Sequence, residues 1–376
     1  MILHVINDSL FIERGLSHFS RAYPNKARTL LVTKSKTLRH LNFEPDLRLR
    51  RMRELFTARA LKEIRSAEAI ILHSSKNVGF LISLLAKKTT KILWIGYGFD
   101  YYNLLAKQGY EFYGPETKAL RTMQRPLENR VTLKHKAYLL ANSFVMRLAF
   151  KRIDFFSPVI REDYEVFKEY FPKTKMDYVA WNYGDSFDDT LFTDPFPMLG
   201  QNILIGNSAS FTNNHLEIFS LLKNMDLRGR KLIVPLSYGD KQYRDYIIGV
   251  GEKLFGEAFV PLIDFLPIDE YYTIIKSCSI VIMNQYRQQA TGNISAMIVF
   301  GAKVYLSQRN PYFLNCVNRG LNIFAIENLK AEPLSLFTPL TESEKVSNRR
   351  IVQETESQVI IDGQTKMVIQ MLLSDS

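Results

Sequence analysis

The chain has 376 residues, 46% of them hydrophobic, and 49 Lys and Arg against 38 Asp and Glu give a formal charge of +11. That length exceeds one ordinary core and fits two α/β domains, and the composition excludes a disordered or low-complexity chain. No run of 18 apolar residues occurs, which excludes a bilayer-spanning helix, and Cys278 and Cys316, with no CxxC pair, exclude a disulfide framework and fit a reducing compartment.

Ile2 to Ile6 is a short apolar strand ending in Asn7–Asp8–Ser9, and a helical pattern follows through Phe11, Leu16 and Phe19. Thr29 to Val32 is a second strand. Arg48 to Arg65 carries Leu47, Leu49, Met52, Leu55 and Phe56 among its charges and reads as an amphipathic surface helix able to rest on anionic lipid, or as a solvated helix. Ala69 to His73 is a strand ending in His73–Ser74–Ser75, and Lys91 to Ile95 another, followed by Gly96, Tyr97, Gly98, Phe99 and Asp100. Arg152 to Phe156 is a later strand. This alternation predicts a doubly wound sheet over residues 1–180. Residues 181–200, rich in Asp, Pro and aromatics, read as a linker.

A second αβ series spans 201–350. Its strands are expected at Ile203 to Ile205, Lys231 to Pro235, Phe259 to Val260, Ile280 to Met283 and Val304 to Leu306, with a weaker one at Asn322 to Ala325. Residues 351–376 hold a helix expected to cross back onto the first domain. Two loops stand out. After Ile205 come Gly206, Asn207, Ser208, Ser210 and Thr212, a turn of small donors leading into a helix. After Met283 come Tyr286, Arg287, Gln288 and Gln289, then Thr291, Gly292 and Asn293 at another helix start. Backbone N–H groups at a helix N-terminus and a planar guanidinium suit a phosphate or diphosphate. Neither a Walker A pattern nor GxGxxG is present, which argues against a P-loop ATPase and a dehydrogenase. Zinc-finger spacing and RNA-binding signatures are also missing, so the basic charge is not assigned to nucleic acid. Two Rossmann-like, doubly wound domains facing a cleft, with the phosphate loops in the second, define the GT-B glycosyltransferase arrangement.

The loops also resemble those of the bacterial glycosyltransferase family of TDP-Fuc4NAc:lipid II Fuc4NAc transferases, which are 4-alpha-L-fucosyltransferase-like. The matching pieces are His4–Val5 with Asp8, His73, and Ile95–Gly96 running to Gly98, Asp100 and Tyr101. They continue with Ile205–Gly206–Asn207–Ser208, Asn214–His215, Val234–Pro235 with Tyr238, Tyr271, Arg287–Gln288–Gln289 with Gly292, and Arg309–Asn310–Pro311–Tyr312. The sequence departs from the family pattern at Ala209–Ser210–Phe211 and at Ala290–Thr291 and Asn293. The resemblance implies a nucleotide-sugar donor, an inverting transfer of a deoxy or acetamido-deoxy hexose, and a lipid-linked glycan acceptor at the cytoplasmic face of the bacterial inner membrane. A non-catalytic nucleotide-sugar or glycan-binding protein on the same scaffold is the alternative.

Sugar transfer needs a held diphosphate, stabilisation of its charge, and a base for the acceptor hydroxyl. Arg287 and the helix start at Gly292 are assigned to the leaving group. Gly206, Asn207, Ser208, His215, Tyr238, Gln288, Gln289, Thr291 and Asn293 are assigned to the donor. Asp100 is the preferred base, with Asp8 the second choice and His73 a third. Ser9, His73, Ser75 and Tyr97 are assigned to the acceptor side. His4, inside a strand, reads as a core histidine. No DxD, HxxxH or cysteine cluster supports a metal, and no cofactor is expected.

Overall fold

The computed structural model describes residues 1–9, 11–24, 26–74, 77–124, 133–181, 183 and 190–374. The chain divides into two compact units. The first comprises the described residues of Met1–Gly109, Asn129–Gly184 and Gln358–Ser376, and the second those of Tyr110–Glu128 and Asp185–Ser357.

The first unit contains a seven-stranded parallel sheet of β1 (Ile2–Ile6), β2 (Ala27–Val32), β3 (Leu47–Leu49), β4 (Ala69–His73), β5 (Lys91–Ile95), β6 (Phe155–Ser157) and β7 (Asp177–Tyr178), in the order β3-β2-β1-β4-β5-β6-β7. Ile2 lies opposite both Ala27 and Ala69, so β1 is central. β1 and β4 are buried at every position. Strands covered on both faces read as continuous apolar runs, and each fully buried Ile or Leu contributes about 1.5–3 kcal/mol. Helix Gln358–Leu373 packs Val368, Ile369 and Leu372 into the core with Ile2, Phe19, Ile71 and Trp181. Trp181 Nε1 donates to Thr365 Oγ1 at 2.8 Å, which fixes that helix in register.

The second unit contains a six-stranded parallel sheet of β8 (Asn202–Ile205), β9 (Leu232–Pro235), β10 (Phe259–Leu262), β11 (Cys278–Met283), β12 (Lys303–Leu306) and β13 (Phe324–Ala325), in the order β10-β9-β8-β11-β12-β13. Its helices start on recognisable signals. Asp240 caps Lys241–Phe255 by accepting from Tyr243 N at 3.0 Å, and Thr341 with Glu344 closes a capping box on Glu342–Glu356.

Three expectations need correction. The run from Arg48 to Arg65 is not one amphipathic helix. It splits into β3, a 3₁₀ turn at Met52–Phe56 and helix Ala58–Ser66, because Leu49, Leu55 and Ile64 are each drawn into the core from different backbone directions. The strand expected at Arg152 to Phe156 is shorter, since helix Leu133–Arg152 uses the first of those residues. The linker over 181–200 and the first domain over 1–180 also shift. Trp181 and Tyr183 are core residues of the first unit. Phe196 lies under the Arg349 guanidinium, 3.5 Å from Cζ to ring centroid, in the second. The stretch Tyr110–Gln124 belongs to the second unit, held there by Asn214 and Glu217.

Candidate functional site

The central strands of each sheet deliver their loops to one edge, because all strands run parallel. In open α/β sheets the carboxyl edge at the reversal of strand order is where ligands bind. In the second unit that point lies between β8 and β11.

Gly206 follows β8 with φ of +65°, and a Cβ there would meet His215 Nε2 at 2.6 Å, so the turn admits only glycine. Asn207 N donates to Asn213 Oδ1 at 3.1 Å, and Asn213 Nδ2 donates back to the Ser208 carbonyl at 2.9 Å and to Ser208 Oγ at 3.1 Å. The Asn207 side chain donates from Nδ2 to the Tyr238 hydroxyl at 2.8 Å and accepts at Oδ1 from Gln289 Nε2 at 2.9 Å. Thr212 Oγ1 donates to Gln289 Oε1 at 2.7 Å. Asn207, Ser208, Tyr238 and Gln289 therefore form one hydrogen-bonded cluster. Arg287 lies close enough to Tyr238 for its charge to act on the phenol, and its guanidinium donates to the Gln288 carbonyl at 3.3 Å. Gln288 Nε2 reaches Thr291 Oγ1 at 3.4 Å, and Asn293 Nδ2 donates to the Tyr271 hydroxyl at 3.1 Å. Ala290 is left-handed (φ 59°) and starts helix Thr291–Val299, whose first-turn N–H groups, Gly292 among them, have no intrahelical acceptor.

His215 does not join this cluster. The left-handed turn at Asn214 (φ 52°) aims it inward, where Nδ1 meets the Tyr243 hydroxyl at 3.0 Å and Nε2 sits behind Gly206 with no partner among the described residues. Burial lowers its pKa to about 3, so it is neutral. Asn213 and Gln285 were missed in the sequence. Gln285 is fully buried, donates from Nε2 to Asn213 Oδ1 at 2.7 Å, and leaves Oε1 unpaired among the described residues. The Asn213–Asn214 pair ahead of a helix was the available signal.

In the first unit, β1, β4 and β5 end side by side. Asp8 is half-buried and accepts from the backbone N–H groups of Arg39 (2.8 Å) and His40 (3.0 Å). Burial pushes its pKa up, but those bonds and the charge of His40 outweigh it and hold the carboxyl below its ordinary value. Asp100 is the opposite case. It is 5% exposed, in the first turn of helix Phe99–Ala106, and accepts from Trp94 Nε1 at 3.1 Å and Tyr97 N at 2.9 Å. Burial raises it to about 6 against those bonds. Both of its oxygens accept bonds within the loop, as both oxygens of Asp8 do from Arg39 and His40, so exposure rather than hydrogen bonding separates the two carboxylates.

His73 is also withdrawn from the edge. Its Nε2 meets His4 Nδ1 at 2.9 Å and its Nδ1 meets the Tyr183 hydroxyl at 2.9 Å. Burial, and then the neighbouring His4, keep it well below its ordinary pKa. His4 is a core residue, with its Nε2 unpaired among the described residues. Ser9 and Tyr183 lie beside the Tyr97 hydroxyl, but among the described residues the buried hydroxyls of Ser9, Tyr97 and Ser74 meet no partner of good geometry; the sequence pattern assigns Ser74 no role. Ser74 is left-handed (φ 53°), and Asn7 Nδ2 clamps the Ser74 carbonyl at 3.0 Å and the His73 carbonyl at 3.2 Å. Ser75 lies outside the described residues. Among the described residues no three His, Cys, Asp or Glu side chains come together as metal ligands.

Two doubly wound parallel sheets in one chain, with a small-residue loop at the switch point of the second, define a GT-B glycosyltransferase. Solved structures share the fold over the full length at low identity. A glycosyltransferase from Rickettsia africae aligns with a TM-score of 0.65 at 12% identity, covering 100% of this chain and 99% of that one. Sucrose-phosphate synthase from Thermosynechococcus elongatus gives 0.64 at 9% (100% and 99%), and Anabaena HepE in complex with UDP-glucose gives 0.63 at 12% (98% and 99%). The family model for 4-alpha-L-fucosyltransferase, glycosyl transferase group 56, matches residues 2–335, and the chain belongs to that family.

Proposed function

We propose that this glycosyltransferase takes a deoxy or acetamido-deoxy hexose from a nucleoside-diphosphate sugar and transfers it with inversion to a lipid-linked glycan at the cytoplasmic face of the inner membrane. The observation that carries the donor half is the cluster of Asn207, Tyr238 and Gln289 beside Arg287 and the helix start at Thr291, at the carboxyl edge of β8 and β11. The acceptor hydroxyl oxygen attacks the anomeric carbon while the bond from that carbon to the diphosphate oxygen breaks. The diphosphate leaves with the bonding electron pair, and Arg287 and the first-turn amides of Thr291–Val299 stabilise the added charge. The hydroxyl proton passes to Asp8, the more accessible of the two carboxylates, since reach precedes basicity in choosing a base.

The membrane half of the proposal rests on the turn at Met52–Phe56. Met52 and Phe56 are 47% and 57% exposed, and Arg50, Arg51 and Arg53 are exposed around them. Apolar side chains ringed by arginines suit a surface of anionic lipid. Among the described residues no helix is long and apolar enough to cross a membrane.

The test is a screen of nucleotide-sugars against an isoprenoid-diphosphate-linked amino-sugar acceptor, read by product mass and by the anomeric coupling of the new bond. One mass increment of a deoxy or acetamido-deoxy hexose with inverted configuration is expected. An ordinary hexose would remove the donor assignment, and a retained configuration would remove the role of Asp8 as base.

A further inference from the structure

The loop that carries Arg287 is gripped from outside its own α/β series. Asn214, fully buried and left-handed, donates from Nδ2 to the Asn284 carbonyl at 2.9 Å and to the Phe112 carbonyl at 3.1 Å, and accepts at Oδ1 from Gly114 N at 2.9 Å. Asn284 Nδ2 returns a bond to the Asn214 carbonyl at 3.3 Å. The stretch 110–114 also acts directly, because the Tyr110 hydroxyl donates to the Tyr286 carbonyl. The Arg309 guanidinium covers the Tyr286 ring, 4.1 Å from Cζ to centroid. Farther along, Glu217 accepts from Thr117 N at 2.9 Å and from Thr117 Oγ1 at 2.6 Å, which anchors the stretch to helix His215–Leu222.

One amide side chain thus ties three backbone segments that are remote in sequence: the strap at 112–114, the turn after β8, and the first residue after β11. Residues 284 and 286, immediately before Arg287, are each fixed by a bond from this assembly. A group that must meet developing charge within a fraction of an ångström needs such support. We propose that Asn214 and Tyr110 are positioning residues for Arg287, so that a strap from the first third of the chain is a working part of the donor site. The inference rests on the donor reading above.

Two variants separate positioning from mere stability. Tyr110→Phe removes the hydroxyl bond to Tyr286 and keeps the ring. Asn214→Gly keeps the left-handed turn, which glycine adopts freely, and removes all three side-chain bonds. Glu217→Gln, which weakens the strap's anchor away from the Arg287 loop, is the control. Nucleoside-diphosphate binding is measured by calorimetry on the full chain, with Tm recorded for each variant. The expected result is a Kd raised at least 3-fold in Tyr110→Phe and at least 10-fold in Asn214→Gly, with Glu217→Gln within 2-fold of wild type even where its Tm falls. Unchanged Kd in Tyr110→Phe, or a Kd that simply follows Tm across all three variants, would overturn the inference. Absence of nucleoside-diphosphate binding by the wild-type chain would overturn the donor reading and this inference with it.

Discussion

Gln289 Nε2 donates to Asn207 Oδ1 at 2.9 Å across 82 residues of sequence. This bond joins the loop after β8 to the loop after β11, and with Tyr238 on the other side of Asn207 it closes the two loops into one surface. The sequence assigns both amides to the donor but gives no sign that they pair with each other. Their pairing follows from strand order, since β8 and β11 are hydrogen-bonded neighbours although β9 and β10 intervene in the chain.

A double-mutant cycle on Asn207→Ala and Gln289→Ala measures that joint. The bond is neutral and partly shielded, so the coupling free energy for nucleoside-diphosphate binding is expected to be about 0.5–1.5 kcal/mol. Each single change alone is expected to weaken binding. Additive losses would show that the two loops bind independently.

Arg287→Ala removes a planar guanidinium from the leaving group. Loss of one preorganised charge contact costs about 2.7–4 kcal/mol, so kcat is expected to fall roughly 10²–10³-fold with the fold intact. Arg287→Lys keeps the charge but not the fork and is expected to recover part of the loss. Steady-state rates with circular dichroism as the folding control decide it, and normal turnover in the alanine variant would remove Arg287 from the mechanism.

The fold was legible because β1, β4, β8 and β11 are continuous apolar runs ending in small or polar residues, the mark of strands buried on both faces. β3 and β7, with three and two residues, were not legible, because a strand so short owes its existence to its neighbour in the sheet. The strap at 110–124 carries no linker composition; only Asn214 and Glu217, met a hundred residues later, reveal where it belongs. The loops of the candidate site could be found from Gly206 and Arg287. The directions of their side chains could not: His215 turns inward where Asn214 takes a left-handed conformation, and Asp100 is enclosed where Trp94 and the Tyr97 amide donate to it.

Ser74→Gly is expected to stabilise the protein. A left-handed conformation costs an ordinary L-residue about 1–2 kcal/mol and glycine almost nothing, and the buried hydroxyl that would be lost has no partner among the described residues. Part of this gain is offset by the greater freedom of glycine in the unfolded chain. Thermal unfolding of wild type against variant reads the sign. A lower Tm would show that the Ser74 hydroxyl has a stabilising partner, such as an ordered water.

Asp8 and Asp100 are separated by their responses to amidation and to pH. Asp8→Asn is expected to reduce kcat by roughly 10²-fold or more, the scale of losing a general base, and Asp100→Asn by less than about 10-fold. Asp100 leaves its own signature in stability. Its folded pKa, about 6, lies above the unfolded value of 3.8, so the folded state binds the proton more tightly. The stabilising contribution is complete below pH 3.8 and disappears as pH rises through 6, a change of about 3 kcal/mol at most. Asp100→Asn cannot titrate. Its stability relative to wild type is therefore lowest in acid and improves steadily between pH 4 and 6, whatever fixed loss it suffers from the altered bonds to Trp94 and Tyr97. Denaturant unfolding of both proteins across that window measures the difference, in which the titrations of all other carboxylates cancel. A difference that stays flat with pH would mean that Asp100 is ionised at an ordinary pKa, and a collapse of kcat in Asp100→Asn alone would make Asp100, not Asp8, the base.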